Sequence, residues 1–536
     1  MSLPLAIIVC LYLFSVCNGT VYYTYLWQLK EYRLDRMIDT FRTGTGRRKI
    51  FPEFQVIKLV LLLIAIGHYF AVKESEIFEY YIVLALGLEF LEFCMRVIKR
   101  RVFRPKRTTK ALLIMGATLC MMCGLGGAVL LYANQAQLYL GFFLLSVVVG
   151  DINSIAVGVF HPVSQRLKAK IILQAKRKLA AHGHKKVIGI TGSYGKSSTK
   201  EFLYQILSEK YEVFKTPGNT NVDIGVAQVI LKELQDEHEI LIIEMGAYKK
   251  GEIKAICDIV NPDIGIITAV ADQHLALFGS LKNIQDAKYE LIESLSGEGI
   301  GFFNADSAGA RDLVARAKND GKNTFTYAVD GTAKFMALHT KVQERVITFD
   351  IHGVEFTAPV YGKQNLPNIL AAIAVAKECG MTLQEIAKAV KKIHAPEKIM
   401  NLKESRKYGD NLLIIDDSYN ANPDGVIAAL EYLQVFRGYT KIFVFPGMLE
   451  LGPKTDAEHI RVAEKIKEIC DFTIFTSEDF IKPLKVGLGK EYDRYTVSDS
   501  QEETLAAIRQ KIETHEKVIV LFEQRGSDKV MKTLLS

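Results

Sequence analysis

Residues 188–200 read IGITGSYGKSSTK, a segment whose pattern indicates the fold of the domain around it. An apolar, β-branched run enters a glycine-rich turn, the turn ends in Gly-Lys-Ser, and the segment EFLYQIL follows with helical spacing. This order predicts a strand, a phosphate loop and a helix. Backbone N–H groups of the loop and the helix N-terminus would face phosphates, with Lys196 at the terminal phosphates and Ser197 on magnesium. The candidate nucleotide-binding residues here are Gly192, Ser193, Gly195, Lys196, Ser197 and Ser198.

The spacing of the glycines narrows this prediction. Gly192 and Gly195 stand two residues closer together than in the common loop Gly-x-x-x-x-Gly-Lys-Ser. The shorter loop is typical of a subset of ATPases, so ATP is the expected ligand.

The N-terminal third of the chain has a different character. The chain has 536 residues, 49% of them hydrophobic, and the apolar excess lies in five runs that approach or reach the length of a membrane span. These runs are 3–27, 56–72, 80–97, 111–133 and 138–160. A cleaved signal peptide would account only for the first run, and that run lacks a basic leader. We therefore expect a transmembrane region of about five helices over residues 1–165.

Positive charge predicts the orientation of these spans. The loops 30–49 and 96–110 are rich in Lys and Arg, whereas the loops 73–79 and 134–137 hold almost none. Basic loops stay in the cytoplasm, so both sit inside and everything after residue 160 is cytoplasmic. The expected location is the cell membrane, with several spans.

Residues 166–186 form a basic stretch with helical spacing. This stretch could lie on anionic lipid headgroups or could be a solvated linker helix, and the sequence leaves both open. The net charge of +7 largely reflects membrane-facing Lys and Arg and requires no nucleic acid partner. The eight cysteines are scattered and indicate neither a disulfide framework nor a zinc site.

The remaining chain alternates strand-like and helix-like segments, which predicts parallel α/β sheets. Strands are expected at 187–191, 240–244 and 264–268, and a second run of strands begins near Leu412. A domain boundary near Ala395 and Pro396 separates a central domain, 187–395, from a C-terminal domain, 396–536.

One further residue, Glu244, is a candidate for metal chemistry because of where it stands. Glu244 ends an apolar strand, and a carboxylate beside a phosphate loop is a natural magnesium ligand. A helix-capping or surface acid is the alternative. His274 follows the strand at 264–268, although a single histidine is usually structural, and Lys288 is one lysine among many.

The order of motifs is more specific than any one of them. The chain contains TGSYGKSSTK, GNTNVDIG, IIEMGAYKKGEI, HLALFGS, AKYE, NAD, GKQNLPN, DDSYNANP and PGMLELG in that order. This order resembles the Mur ligase family over residues 187–536. Within the family it is most similar to the ligases that add D-alanyl-D-alanine to UDP-N-acetylmuramoyl-tripeptide. The implied fold is a P-loop ATPase central domain and a Rossmann-like C-terminal domain, preceded here by an all-α transmembrane region.

The resemblance implies an ADP-forming ligase. ATP phosphorylates a carboxylate, an amine attacks the acyl phosphate, and an amide forms. Ser197 and Glu244 would hold one magnesium ion; His274 and a carbamylated Lys288 would hold a second. Lys196, Lys288 and His274 are the implied catalytic residues. The implied nucleotide contacts also include Asn304, Asn365, Asp417, Tyr419 and Asn420. Asn219 and Asn221 match the turn that faces the acyl substrate.

The chain departs from the family pattern at several points. Lys398 is the nearest cation where the family has an arginine, and EQRGSDKV at 523–530 replaces Lys-Gly-Ser-Arg. Membrane spans also stand where relatives have a UDP-muramyl-binding domain, so the cell-wall precursor that accepts the amino acid or dipeptide could be lipid-linked, or the spans could be only an anchor.

Two other functions stay open at this point. One is a membrane-tied polyglutamate-type synthase, and the other is a nonenzymatic, ATP-binding scaffold of a cell-wall complex. ATP turnover distinguishes the scaffold from both enzymes.

Overall fold

The computed structural model describes residues 3–42, 47, 49–71, 76–98, 102–183, 185–271, 278–418, 421–448, 451–498, 500–523 and 528–536. Three residues expected at the site, His274, Tyr419 and Asn420, lie outside these ranges. The chain divides into two compact units, Met1–Ala169 and Lys170–Ser536.

The first unit is helical. Its helices are α1 Leu3–Leu29, α2 Leu34–Arg42, α3 Glu53–Ala71, α4 Glu76–Ile98, α5 Thr109–Tyr132, α6 Gln135–Val147 and the first part of α7 Val149–Ala181. By length and composition, three described helices can cross a membrane, and the pair formed by α6 and α7, bent by 57°, would be a fourth. The expected span 80–97 lies in α4, which also carries acidic residues. The count of five spans therefore stays a prediction.

The interior of the first unit contains a buried ion pair. Lys58 on α3 and Glu89 on α4 are each 2% exposed and lie 2.9 Å apart. Lys58 also donates to Ser15 Oγ and to the carbonyl of Ser146, and Asn18 donates to the other oxygen of Glu89. The network joins α1, α3, α4 and α6, so no charge of the pair is left without a partner.

The central part of the second unit is a seven-stranded parallel sheet in the order β2-β3-β1-β4-β5-β6-β7. Its strands are β1 Lys186–Thr191, β2 Val213–Lys215, β3 Ile240–Glu244, β4 Ile264–Ile267, β5 Ile300–Asn304, β6 Asn323–Ala328 and β7 Phe335–Met336. The helices around it are α8 Lys196–Leu207, α9 Asp223–Glu233, α10 Glu252–Val260, α11 Leu281–Glu293, α12 Ala308–Asn319, α13 Leu366–Glu378 and α14 Leu383–Val390. A small antiparallel sheet follows, with β8 Leu338–Val342, β9 Ile347–Ile351 and β10 Val354–Ala358.

The C-terminal part is a six-stranded sheet in the order β11-β12-β16-β13-β14-β15. Its strands are β11 Asn401–Ser405, β12 Gly409–Asp417, β13 Thr440–Phe445, β14 Phe472–Phe475, β15 Tyr495–Val497 and β16 Val518–Glu523. The helices are α15 Pro423–Leu433, α16 Thr455–Ile469, α17 Ile481–Leu488, α18 Gln501–Thr514 and α19 Asp528–Leu535. Only β11 among these strands pairs antiparallel, so the predicted parallel α/β class is confirmed.

The basic stretch 166–186 has an unexpected environment. Its helical part is the end of α7, and there Ala175 is fully buried in the core beneath the seven-stranded sheet. Ile171 and Leu179 pack against the same core, and Lys178 Nζ donates to the carbonyls of Leu231 and Leu234 at 3.0 and 2.7 Å. The apolar face of this part of the helix is thus covered by the second unit itself, and the two predicted roles of its exposed basic residues stay predictions.

Candidate functional site

The candidate site lies at the carboxyl end of β1, in the middle of the seven-stranded sheet. β1 pairs with β3 on one side and with β4 on the other, so three parallel strands end side by side. Ligands of open α/β sheets bind at such a point, because the connections leave the sheet in opposite directions there. The phosphate loop 192–195 follows β1 directly and enters α8 at Lys196.

At two positions of the loop only glycine fits, because a side chain would collide with neighbouring atoms. A Cβ on Gly192 would lie 2.0 Å from Thr268 Oγ1. A Cβ on Gly195 would lie 2.4 Å from Asn368 Oδ1, and the φ of Gly195 is +83°, which L-residues with side chains rarely adopt. The loop is therefore held tightly between the end of β4 and helix α13.

The side chains of the loop are arranged around its backbone. Lys196 Nζ donates to the carbonyl of Gly192 at 2.7 Å and to that of Ser193 at 3.3 Å. The amide of Ser193 donates to Ala269 O at 2.7 Å, and its hydroxyl lies 3.0 Å from Ala271 O. Ser198 is buried in the first turn of α8. Burial lowers the pKa of Lys196, although the nearby charge of Glu244 opposes that shift.

Glu244 is the centre of the polar network. This residue ends β3, is 1% exposed, and pairs in register with Ile190 of β1. Its Oε2 accepts hydrogen bonds from Ser197 Oγ and Lys200 Nζ, both at 3.0 Å. Its Oε1 accepts from Asn221 Nδ2 at 3.1 Å. Because β1, β2 and β3 are parallel, the segments that follow them meet at one edge of the sheet. This arrangement brings the predicted residues Ser197, Glu244 and Asn221 together.

A magnesium ion fits the oxygen donors of this network. A hydroxyl and a carboxylate are the hard ligands that magnesium prefers, and Ser197 and Glu244 supply one of each. Among the described residues, no group of three or more His, Cys, Asp or Glu side chains is placed to hold a metal. His274 is outside that set, so its predicted role as a ligand stays a prediction.

Lys288 lies inside the same domain on α11 and is 4% exposed. Burial lowers its pKa to about 7, and the positive charge of Lys196 shifts it in the same direction. A buried amine with this pKa is partly neutral near physiological pH, so its nitrogen can act as a nucleophile.

The other predicted contact residues of the central domain, Asn304, Asn365 and Asn219, make only local contacts or are exposed. Asn304 ends β5, where its Oδ1 accepts from the amide of Asp306 at 3.0 Å. Asn365 is buried and donates to the carbonyl of Tyr361 at 2.8 Å. Asn219 is exposed in the turn before α9. These observations assign local hydrogen bonds to the two asparagines, Asn304 and Asn365, and leave their predicted roles untested.

Asp417 is in the C-terminal sheet, at the end of β12 and in register with Glu523 of β16. Its Oδ1 accepts from the amide of Met400 at 3.1 Å. Burial raises the pKa of Asp417, although its hydrogen bonds with Met400 and Glu523 oppose that shift. Burial, together with the charge of Asp417, raises the pKa of Glu523.

Sequence reasoning missed two residues that touch the loop network. Lys200 is fully buried and forms an ion pair with Glu244. Asn368 accepts from Thr199 Oγ1 at 3.2 Å and lies against Gly195. The signal for Lys200 was its position one helical turn after Lys196, and Asn368 stands three residues after the predicted Asn365.

Two of the departures from the family pattern, Lys398 and the segment 523–530, are in contact. Lys398 Nζ lies 2.6 Å from Asp528 Oδ1, and that contact lowers the pKa of Asp528. The cation expected near phosphate thus forms an ion pair with the altered C-terminal segment. A compact ammonium held by a carboxylate does not replace the planar fork of an arginine.

Comparison with known proteins places the chain in a family. Residues 190–376 match the model of the Mur ligase middle domain, and residues 400–524 match that of the Mur ligase glutamate ligase domain. The chain belongs to the Mur ligase family. The predicted Mur-type fold and the class of ATP-dependent ligase are confirmed by this membership and by the relatives below.

Three relatives indicate the branch. The UDP-N-acetylmuramoyl-tripeptide–D-alanyl-D-alanine ligase of Bacillus subtilis is 30% identical over 65% of this chain and 76% of the relative. The Escherichia coli protein of the same name is 32% identical over 53% of this chain, and the match spans 62% of that relative. The crystal structure of MurF ligase from Thermotoga maritima in complex with ADP has a TM-score of 0.59 and 26% identity, covering 68% of this chain and 82% of that one. The predicted likeness to MurF is therefore confirmed, whereas the first unit is outside both family models.

Proposed function

We propose that this protein is an ATP-dependent amide ligase that adds D-alanyl-D-alanine, or a closely related amino acid or dipeptide, to a muramyl-peptide precursor of the cell wall. The observation that carries the proposal is the network at the end of β1 and β3. There Lys196 Nζ bonds the backbone of the phosphate loop. Glu244 accepts hydrogen bonds from Ser197, with which it could hold magnesium, and from Asn221 of the turn expected to face the substrate.

The chain's own residues would act as follows. Lys196 would exchange its loop carbonyls for the terminal phosphates of ATP, because an ammonium held only by backbone carbonyls is available to an anion. Ser197 and Glu244 would hold magnesium, which spreads the charge that develops on the transferring phosphoryl group when it is bound. Asn221 would orient the substrate carboxylate toward that point, where the carboxylate would take the terminal phosphoryl group and release ADP. An amine would then attack the phosphorylated carbonyl, lose a proton and displace phosphate, which leaves the amide.

Lys288 fits the role of a second metal ligand only if it carries a carboxylate. Its lowered pKa supports reaction with carbon dioxide, since the neutral amine is the reactive form. The neutral amine would form an N–C bond with carbon dioxide and release a proton to solvent. The product, a carbamate, would replace the buried cation by an anion and so remove the repulsion from Lys196. We include carbamylated Lys288, His274 and the nucleotide contacts Asn304, Asn365, Asp417, Tyr419 and Asn420 in the proposal.

The first unit would hold this ligase at the cell membrane, with the catalytic unit in the cytoplasm. The support is the set of long apolar helices and the basic loops between them. Large apolar side chains on α3 and α5 are exposed, among them Val60, Leu63, Leu112 and Leu113, as expected for a lipid-facing surface. The ion pair of Lys58 and Glu89 would allow α4 to span as well, because its buried charge is compensated.

The test is phosphate release by the detergent-solubilised full chain with ATP and magnesium. UDP-muramyl tripeptide and D-alanyl-D-alanine are supplied together and then singly, beside Lys196→Ala and a control, Lys318→Ala, which removes an exposed lysine of the same domain. We expect release only with both substrates, loss of at least about a hundredfold in Lys196→Ala, and an unchanged rate in the control.

A second arm supplies the same tripeptide on a lipid carrier in mixed micelles. Release with the lipid-linked form alone would identify the acceptor class and keep the ligase proposal. An absence of substrate-dependent release with either form, in protein that still binds ATP, would refute the ligase and favour the scaffold.

A further inference from the structure

Lys200 has an environment that its position in the phosphate-loop helix does not explain. Its side chain is 0% exposed, and Nζ lies 3.0 Å from Glu244 Oε2. The same ammonium donates a short hydrogen bond to the carbonyl of Gly218. Burying a lysine is costly unless both its charge and its donors are satisfied, so these two contacts fix where the side chain can be.

A third neighbour, Glu201 Oε1, lies 3.9 Å from Lys200 Nζ. The two hydrogen-bond partners, Glu244 and Gly218, belong to different parts of the site. Glu244 is the carboxylate of the magnesium-type pair, at the end of β3. Gly218 opens the turn 218–221, which carries Asn219 and Asn221 and joins β2 to α9. Lys200 is thus a cation placed between the metal carboxylate and the turn expected to face the acyl substrate.

The turn is attached to the same carboxylate a second time. Asn221 Nδ2 donates to Glu244 Oε1 at 3.1 Å, while the carbonyl of Asn221 accepts from the amide of Gly246 at 2.8 Å. A Cβ on Gly246 would lie 2.8 Å from Asn221 Cγ, so the two segments are in close contact. One end of the turn is therefore held through Lys200 and the other through Asn221, with Glu244 common to both.

We propose that Lys200 is a positioning residue that couples the turn 218–221 to Glu244 and so sets the geometry between acyl substrate and metal. The expected effect on the acceptor KM rests on the proposed function, whereas the expected effect on hydrogen exchange in the turn does not. Lys200 touches neither ATP nor substrate in this account. Because the hydrogen bonds of Lys196 Nζ go to loop carbonyls and not to Lys200, removing the Lys200 side chain leaves Lys196 and the loop able to bind nucleotide without magnesium.

The first experiment compares Lys200→Met with the wild-type chain. Methionine keeps the length and the apolar stem but removes the charge and all donors. We expect the KM for the acyl acceptor to rise by about tenfold or more, since the variant loses both the charged hydrogen bond to Gly218 O and the ion pair with Glu244, and so frees one end of the turn. The Kd for ADP without magnesium is expected to change by less than about threefold. Lys200→Arg, which keeps a cation, should recover part of the acceptor KM.

The second experiment needs no activity. Hydrogen exchange is measured at the amides of Thr220 and Gly246, which are bonded to Pro217 O and Asn221 O, and at Thr199, bonded to Gly195 O in the loop helix. In Lys200→Met we expect exchange at Thr220 and Gly246 to accelerate by about tenfold or more while Thr199 is unchanged. Lys318→Met is the matched control.

These outcomes separate the inference from the proposed function. Unchanged acceptor KM together with unchanged exchange at Thr220 and Gly246 would overturn the coupling role, as would equal acceleration at Thr199, which indicates general destabilisation. If the wild-type chain forms no product but the exchange result holds, the proposed function fails and the coupling stands. Should Lys200→Met not fold, Lys200→Gln, which can satisfy one partner but not both, is measured in the same way.

Discussion

Removal of Lys58 is the most informative perturbation of the helical unit. In Lys58→Met the carboxylate of Glu89, 2% exposed, keeps only Ser15 and Asn18 as partners and loses its counter-charge. Breaking one side of a buried ion pair costs about 3–5 kcal/mol, because the remaining charge stays desolvated. The double variant Lys58→Met/Glu89→Gln leaves no charge behind, so its cost should be smaller, about 1–2 kcal/mol. Because the double variant is expected to lose less stability than Lys58→Met alone, the coupling energy between the two residues should be at least about 2 kcal/mol.

The chain offers a specific assay for this unit. Its single tryptophan, Trp27, is 6% exposed and donates from Nε1 to Ser154 Oγ at 3.0 Å. Its fluorescence in increasing denaturant therefore reports unfolding of the helical unit alone. Lys58→Met, Glu89→Gln, the double variant and the exposed-site control Arg104→Met are compared in the same detergent. A coupling energy near zero, or a loss in Lys58→Met no larger than in the control, would refute the argument that this pair holds the bundle together.

Two further predictions concern the catalytic unit. In Gly195→Ala, the new Cβ would lie 2.4 Å from Asn368 Oδ1 at a φ of +83°. The affinity for ADP, measured by titration calorimetry, should therefore fall by about tenfold or more. The control Gly183→Ala, which has open space around the new Cβ, should bind ADP normally. Burial raises the folded-state pKa of Asp417 from 3.8 to about 7, so the folded state binds more protons than the unfolded state between these values. Stability from this group is present at low pH and is lost as pH rises to about 7. Chemical denaturation at pH 5 and pH 8 should show a smaller fall in Asp417→Asn than in the wild type, and an equal fall would contradict the assignment.

Much of the candidate site follows from local sequence. A phosphate loop is a continuous segment, so IGITGSYGKSSTK alone predicts the strand, the turn and the helix, with Lys196 and Ser197 at the helix N-terminus. Glu244 could be added because a carboxylate after an apolar strand must lie at the same edge of a parallel sheet. The strand predicted at 240–244 agrees with β3 at both ends.

Other parts of the fold have weaker local signals. The antiparallel sheet β8 to β10 was not predicted, because its short strands depend on packing over the central core rather than on a long apolar run. The packing of the amphipathic end of α7 has no local signal either, since the core that covers Ile171 and Ala175 comes from segments much later in the chain.

The amino-acid sequence by itself determined the class of the two catalytic domains, the apolar character of the N-terminal region and the residues of the phosphate loop, because each is encoded in a continuous pattern. Only the tertiary structure decided which distant side chains pair: Lys58 with Glu89, Lys200 with Glu244, and Lys398 with Asp528. The sequence around a single lysine does not indicate which carboxylate it pairs with. Its role is set by which carboxylate the fold brings within reach and by how completely both are removed from water.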